Sequence, residues 1–160
     1  MADPPDPDAP RHLPVLSQES IELLQPRPGS VVVDGTVGLG GHARLILERI
    51  GPGGRLLGID RDDAALDEAR RRLADFEPLP LLRRGDFRDL AAIARDAGLD
   101  RVDGVLLDLG VSSPQLDQAE RGFGYSSEGP LDMRMDRSAL LTAEMVVNGY
   151  PEAELARILR

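Results

Sequence analysis

The sequence has no cysteine, which excludes disulfides, thiolate nucleophiles and cysteine-ligated metals together and suits a reducing cytoplasm. Only two histidines are present, so a metal site is not expected either. No apolar run approaches the ~18 residues needed to span a bilayer. The N-terminus lacks the basic and apolar regions of a signal peptide, so neither membrane insertion nor export is expected. Positive charge is also short. Against 28 Asp and Glu there are 19 Lys and Arg, leaving −9, the opposite of the basic face that nucleic-acid binders usually carry. Part of the acidic excess lies in the tail, at Asp3, Asp6 and Asp8, so the total understates how mixed the folded surface is. What remains, 160 residues with 41% hydrophobic content, is enough for one globular core.

The opening MADPPDPDAP cannot bury apolar surface, so residues 1–11 are expected to form a disordered tail, with structure beginning near His12. Ser17 is placed to cap a short helix with Ile21, Leu23 and Leu24 on its apolar side, ended by Pro26, Pro28 and Gly29. SVVVD (30–34) is a β-branched run between turn residues, the pattern of a strand buried on both faces. After a glycine loop, residues 43–50 read as a helix offering Leu45, Ile46 and Ile50 to the core, closed by GPGG. RLLGID (55–60) is a second buried strand, and Asp62 or Asp63 starts a helix with Leu66, Ala69 and Leu73 on one face. Residues 79–83 form a weaker third strand. A helix around Leu90, Ile93, Ala94 and Ala97 ends at Gly98, and VDGVLLDL (102–109) is the fourth strand. Strands alternate with helices, so the expected fold class is α/β with a parallel sheet.

Beyond Gly110 the periodicity dissolves into VSSPQLDQAERGFGYSSEGPLDMRMD, too long for an ordinary connection and therefore functional or disordered. Met133 and Met135 within it are expected to fill an apolar gap. Residues 151–160 open a helix with proline in its first turn and leave Leu155, Ile158 and Leu159 in need of a partner, so a longer protein is expected.

In open parallel sheets ligands bind outside the carboxyl ends of the strands, where strand order reverses. Four motifs fall there. DGTVGLGGH (34–42) follows the first strand, and its glycines let backbone N–H groups approach a carboxylate or phosphate at a helix start. Its spacing departs from the dinucleotide fingerprint, because Gly38, Gly40 and Gly41 lead to Ala43 rather than to a third glycine. Asp60 ends the second strand, where a carboxylate accepts hydrogen bonds from ribose hydroxyls. Asp86 and Phe87 follow the third strand, where a ring covers an adenine face and a polar neighbour meets the base edge. Asp108 ends the fourth, with Ser112, Ser113 and Gln115 behind it. Each has a plainer reading beside it: turn-forming glycines, a helix-capping Asp60, a core Phe87, a His42 that only bonds backbone.

The strings HLPVLSQE (12–19), DGTVGLGGH, GIDRD (58–62), LLDLGVSSPQLD (106–117) and RGFGYSSEGPLDMRMD (121–136) resemble the bacterial 16S ribosomal RNA cytosine-N4 methyltransferase family through most of the chain. DLGVSSPQLD and GPLDMRMD are the specific strings, whereas the glycine loop alone would admit any class I methyltransferase. The resemblance implies a Rossmann-like, class I S-adenosyl-L-methionine-dependent fold with its first four parallel strands in the order 3-2-1-4. A cytoplasmic enzyme is implied, transferring methyl to the N4 amine of a cytosine in 16S ribosomal RNA of the small ribosomal subunit.

By the same resemblance, Gly40, Gly41 and His42 contact the amino-acid part of the cofactor, Asp60 the ribose and Phe87 the adenine side. Asp108 and Gln115 take the remaining cofactor positions, and Asp108 is also the candidate catalytic group, as an acceptor for the amine. The family is longer, with later strands and His-Pro-Ala-Thr-Arg and Ser-Leu-Glu-Asp-Arg segments downstream. Residues 12–117 are therefore expected to be the N-terminal part of a methyltransferase domain, and 118–160 a long loop and the start of a helical insertion. The fourth strand should then present an uncovered apolar edge. An inactive cofactor-binding fragment and a nicotinamide-dependent oxidoreductase of similar fold are the competing readings.

Overall fold

The computed structural model describes residues 14–126 and 128–160, and the tail expected over 1–11 lies outside the described residues. Contacts divide the chain into two units, one running to residue 60 and from 64 to 107, the other comprising 61–63 and 108–160. The first unit thus ends at Leu107, earlier than the Asp117 boundary read from the motifs.

The aliphatic runs form the strands. β1 (Val31–Asp34), β2 (Arg55–Asp60), β3 (Leu81–Arg84) and β4 (Gly104–Leu106) pair in parallel in the order β3-β2-β1-β4, as expected. β1 is central, with Val33 opposite Leu57 on one side and Val105 on the other. Alternation along the strands feeds two cores. Val32, Leu56, Leu82 and Leu106 pack with Ile21 of α1 (Ser17–Leu24), with Ile46 and Ile50 of α2 (Gly41–Ile50), and with Leu66 and Ala69 of α3 (Asp63–Arg72). Val33, Leu57 and Ile59 pack on the opposite face with Ala94 of α4 (Leu90–Asp96) and with Leu99. At about 1.5–3 kcal/mol for each large aliphatic side chain removed from water, these layers supply the main stabilisation of the unit.

Local details depart from the sequence reading. Ser17 does not cap α1; Leu16 holds that position in the left-handed region, with no side-chain cap bond. β3 starts two residues later than read. β4 is confined to three residues because its partner β1 ends at Asp34, opposite Leu106, leaving no ladder beyond. Val105 and Leu107 at this sheet edge are 42% and 45% exposed, so the apolar edge is present but short.

The second unit contains α5 (Ser113–Asp117), a 3-10 turn (Ala119–Arg121), α6 (Ala143–Gly149) and α7 (Glu152–Ile158). Thr142 caps α6, its hydroxyl accepting from the Met145 amide at 3.2 Å. Among the described residues of this unit no hydrophobic side chain is buried. Met133 accordingly does not fill an apolar gap. It lies half-exposed with φ 56°, and its amide donates to the Arg121 carbonyl. Among the described residues no helix is long and apolar enough to cross a membrane.

Ile46 is fully buried and Leu23 almost fully exposed. In urea denaturation Ile46→Ala is expected to lower stability by about 2–5 kcal/mol. Leu23→Ala should change it by less than about 0.5 kcal/mol.

Candidate functional site

In the first unit the site grows out of the turn after β1. Asp34, wholly buried at the strand end, accepts the Thr36 amide at 3.1 Å and so bends the chain out of the sheet. The Gly35 amide donates to the Leu106 carbonyl, tying the turn to the tip of β4. A Cβ at Gly35 would stand 2.5 Å from Leu107 Cδ2, the movable end of a half-exposed side chain, and 3.3 Å from Phe87 Cβ, so glycine lets the turn sit close against both without either shifting. The Val37 amide donates to the Ile59 carbonyl, and the Gly38 amide donates to Asp60 Oδ2 at 2.8 Å. Gly40, at φ 85°, then turns the chain into α2.

Asp60 therefore does more than end a strand. Its carboxylate fastens the glycine turn while its carbonyl accepts the Gly85 amide after β3. Phe87, read as a core aromatic by default, lies in a 3-10 turn (Phe87–Asp89) and is 36% exposed. Asp86 before it caps that turn, accepting from the Arg88 amide at 2.9 Å, and pairs with the Arg88 guanidinium at 2.7 Å. That pair raises the Arg88 pKa above its ordinary value, chiefly through the hydrogen bond to Asp86.

Gly40, Asp60 and Phe87 thus come together at the strand tips of one unit. Gly41 opens α2 against Pro14, and His42 is buried. With the Gly38 amide on Asp60 and the Gly40 amide on the Val37 carbonyl, the amides that can meet a ligand are those of the first turn of α2, from Gly41 onward. Amides in a helix's first turn lack intrahelical acceptors and suit a carboxylate. The α2 entry thus offers amide donors, Asp60 a carboxylate acceptor and Phe87 a partly exposed ring.

The second unit carries the other two candidates. Asp108 is exposed, in irregular backbone beyond the end of β4. Gln115 is buried: its Oε1 accepts from the Ser112 amide at 3.0 Å, and its Nε2 donates to Asp62 Oδ2 at 3.2 Å. The same carboxylate oxygen pairs with Arg121 Nη2 at 2.7 Å, both side chains being buried. The sequence marks Asp62 only as a helix starter and does not single out Arg121. The two are 59 residues apart, a separation that no local periodicity reports.

Within GPLDMRMD, Asp132 and Arg134 form an ion pair at 2.7 Å, and Arg134 also donates to the Arg137 and Ala139 carbonyls. The Arg134 hydrogen bond is the main cause that holds the Asp132 carboxyl down from 3.8 to about 2. Because the folded value lies below the unfolded one, this contribution is present above pH 3.8 and is lost as pH falls through about 2. An NMR titration of the Asp132 carboxyl carbon should find that midpoint, and Arg134→Ala should return it toward the ordinary value. At the other unit, Asp60→Ala should remove the Gly38 anchor, costing about 1.5–3 kcal/mol in chemical denaturation and accelerating Gly38 amide exchange.

Residues 9–160 match the MraW methylase family. The chain is 57% identical over 150 residues to the ribosomal RNA small subunit methyltransferase H of Syntrophotalea carbinolica, covering 94% of this chain and 48% of that protein. It is 54% identical over 155 residues to the protein of the same name from Thermobifida fusca, covering 95% and 47%. The chain thus spans about half the length of the curated relatives it matches. Among solved structures, TrmN from Thermus thermophilus aligns with a TM-score of 0.51 and 27% identity, covering 63% of this chain and 29% of that one. With the strand order and the strand-tip motifs alike in agreement, the chain belongs to the MraW methylase family.

Proposed function

We propose that this chain is the donor-binding part of a cytoplasmic S-adenosyl-L-methionine-dependent methyltransferase acting on the N4 amine of a cytosine in 16S ribosomal RNA of the small subunit. The observation that carries the reading is the Asp60 carboxylate on the Gly38 amide at adjoining strand tips, within a stretch that matches a methylase family throughout. Asp60 accepts from the ribose hydroxyls. The backbone of Gly40, Gly41 and His42 meets the amino-acid part, and the exposed edge of Phe87 lies along the adenine. Asp108 and Gln115 are assigned to the donor by the resemblance of DLGVSSPQLD to the family.

The sulfonium cofactor supplies an electrophilic methyl group. The protein's task is then mainly alignment, since holding reactants in line replaces a bimolecular encounter. A cytosine amine is a poor nucleophile because its lone pair is delocalised into the ring. An acceptor beside it favours a more tetrahedral nitrogen, and Asp108, exposed and outside regular structure, is the candidate acceptor. The base must leave its stack to be reached, as base-modifying enzymes require. With a net charge of −9, this stretch does not itself favour a phosphate backbone, so tight RNA binding is not assigned to it alone.

Calorimetric titration compares S-adenosyl-L-methionine with NAD. Binding of the former, weakened at least about tenfold by Asp60→Ala, is expected; preference for NAD would overturn the reading. Labelled methyl transfer to small subunits, run beside the full-length Syntrophotalea carbinolica relative, tests whether the chain also carries out the chemistry.

A further inference from the structure

Within the first unit, the entry to α2 rests on the far end of α3. Arg44 closes the first turn of α2, its amide donating to the Gly40 carbonyl at 2.9 Å, and the amides of Gly41, His42 and Ala43 precede that first intrahelical bond. A Cβ on Gly40 would stand 3.3 Å from Leu73 Cγ and Cδ1 and 3.6 Å from Ala69 Cα. The turn into the helix thus lies directly against the C-terminal end of α3, where Leu73 is fully buried.

The Arg44 side chain reaches the same place. Its guanidinium donates to both carboxylate oxygens of Asp75, at 2.9 and 3.2 Å, and to the Arg72 carbonyl. It also lies 4.9 Å from the centre of the Phe76 ring, and Phe76 packs on the apolar layer below. Chiefly through the Arg44 hydrogen bond, the Asp75 carboxyl is held below its ordinary pKa. The two side chains are 40% and 64% exposed, and ion pairs so exposed add little to stability. What a planar guanidinium adds is direction, because its donors form a rigid fork. Apolar packing of α2 on the core tolerates small rotations of its first turn; a fork seated on a carboxylate, a carbonyl and a ring does not.

We propose that Arg44 is a positioning residue for the donor, with Asp75 as its anchor, and that this clamp sets the direction of the Gly41, His42 and Ala43 amides. The assignment rests on the donor-binding reading above and narrows it to the amino-acid part. Asp60 and Phe87, proposed there for the ribose and the adenine, are carried by β2 and by the turn after β3 rather than by α2.

Titration with two ligands tests the assignment. Methylthioadenosine keeps the adenine and ribose of S-adenosyl-L-methionine but lacks its amino-acid part. Arg44→Ala is expected to weaken S-adenosyl-L-methionine at least about fivefold and methylthioadenosine by less than about twofold. Its unfolding midpoint should stay near the parent's. Asp75→Ala, which leaves Arg44 in place but removes its anchor, should show the same selectivity. The double variant should lose no more than Arg44→Ala alone, as expected of residues that act together. A loss shared equally by both ligands would make the pair structural only, and parent affinity for S-adenosyl-L-methionine would make it dispensable; either result overturns the assignment. Should Arg44→Ala not fold, Asp75→Ala, on an exposed turn, decides by the same two ligands. A parent chain that binds S-adenosyl-L-methionine beside variants without the selective loss sinks the clamp alone. One that does not bind it sinks the donor reading and the clamp with it.

Discussion

The two-sided burial of β1 is the constraint from which the first unit follows. Four residues between Ser30 and Gly35 give Val32 to the layer under α1, α2 and α3, and Val33 to the layer under α4. A strand so placed cannot carry polar side chains except at its end, and Asp34 sits there. Paired with β2 along its whole length and with β4 over Val32–Asp34, β1 fixes where β4 stops, while β2 continues to Asp60 beside β3. Order β3-β2-β1-β4 places the reversal of strand order beside β1, the position where a sheet of this type opens a crevice for ligand.

From that geometry the turn residues acquire their roles. Gly35 lets the turn sit close against Leu107 and Phe87, and Gly40 is glycine because the chain enters α2 through the left-handed region. Asp60 ties two segments to the end of β2, its carboxylate accepting the Gly38 amide and its carbonyl the Gly85 amide.

The two units illustrate different ways to specify backbone. One uses aliphatic layers, tolerant in direction and strong in sum; the other has a charged cluster where an apolar core would be expected. The half-exposed Met133 follows from this, since among the described residues of that unit no buried apolar side chain is there to receive it. Asp132 and Arg134 extend the same logic toward the surface, with the Arg134 guanidinium distributing its donors over a carboxylate and two carbonyls.

Most of the architecture was legible because it is written in local periodicity. Runs such as VVVD and RLLGID specify strands, helical spacing specifies α2 and α3, and glycines mark the turns, so element order and parallel pairing follow without coordinates. That Gly40, Asp60 and Phe87 fall at or beyond strand ends was legible too, because the turn residues that follow each aliphatic run mark where the strand stops. Long-range pairing was not legible. That Asp60 anchors Gly38, that β4 ends with β1, and that Asp62 meets Arg121 across 59 residues depend on which side chains the fold brings within about 3 Å. Local sequence carries propensity and pattern, but a hydrogen bond between distant residues exists only after the chain has closed. The tertiary structure alone therefore decided that both ends of the Gln115 amide are engaged, and that Phe87 stays partly exposed.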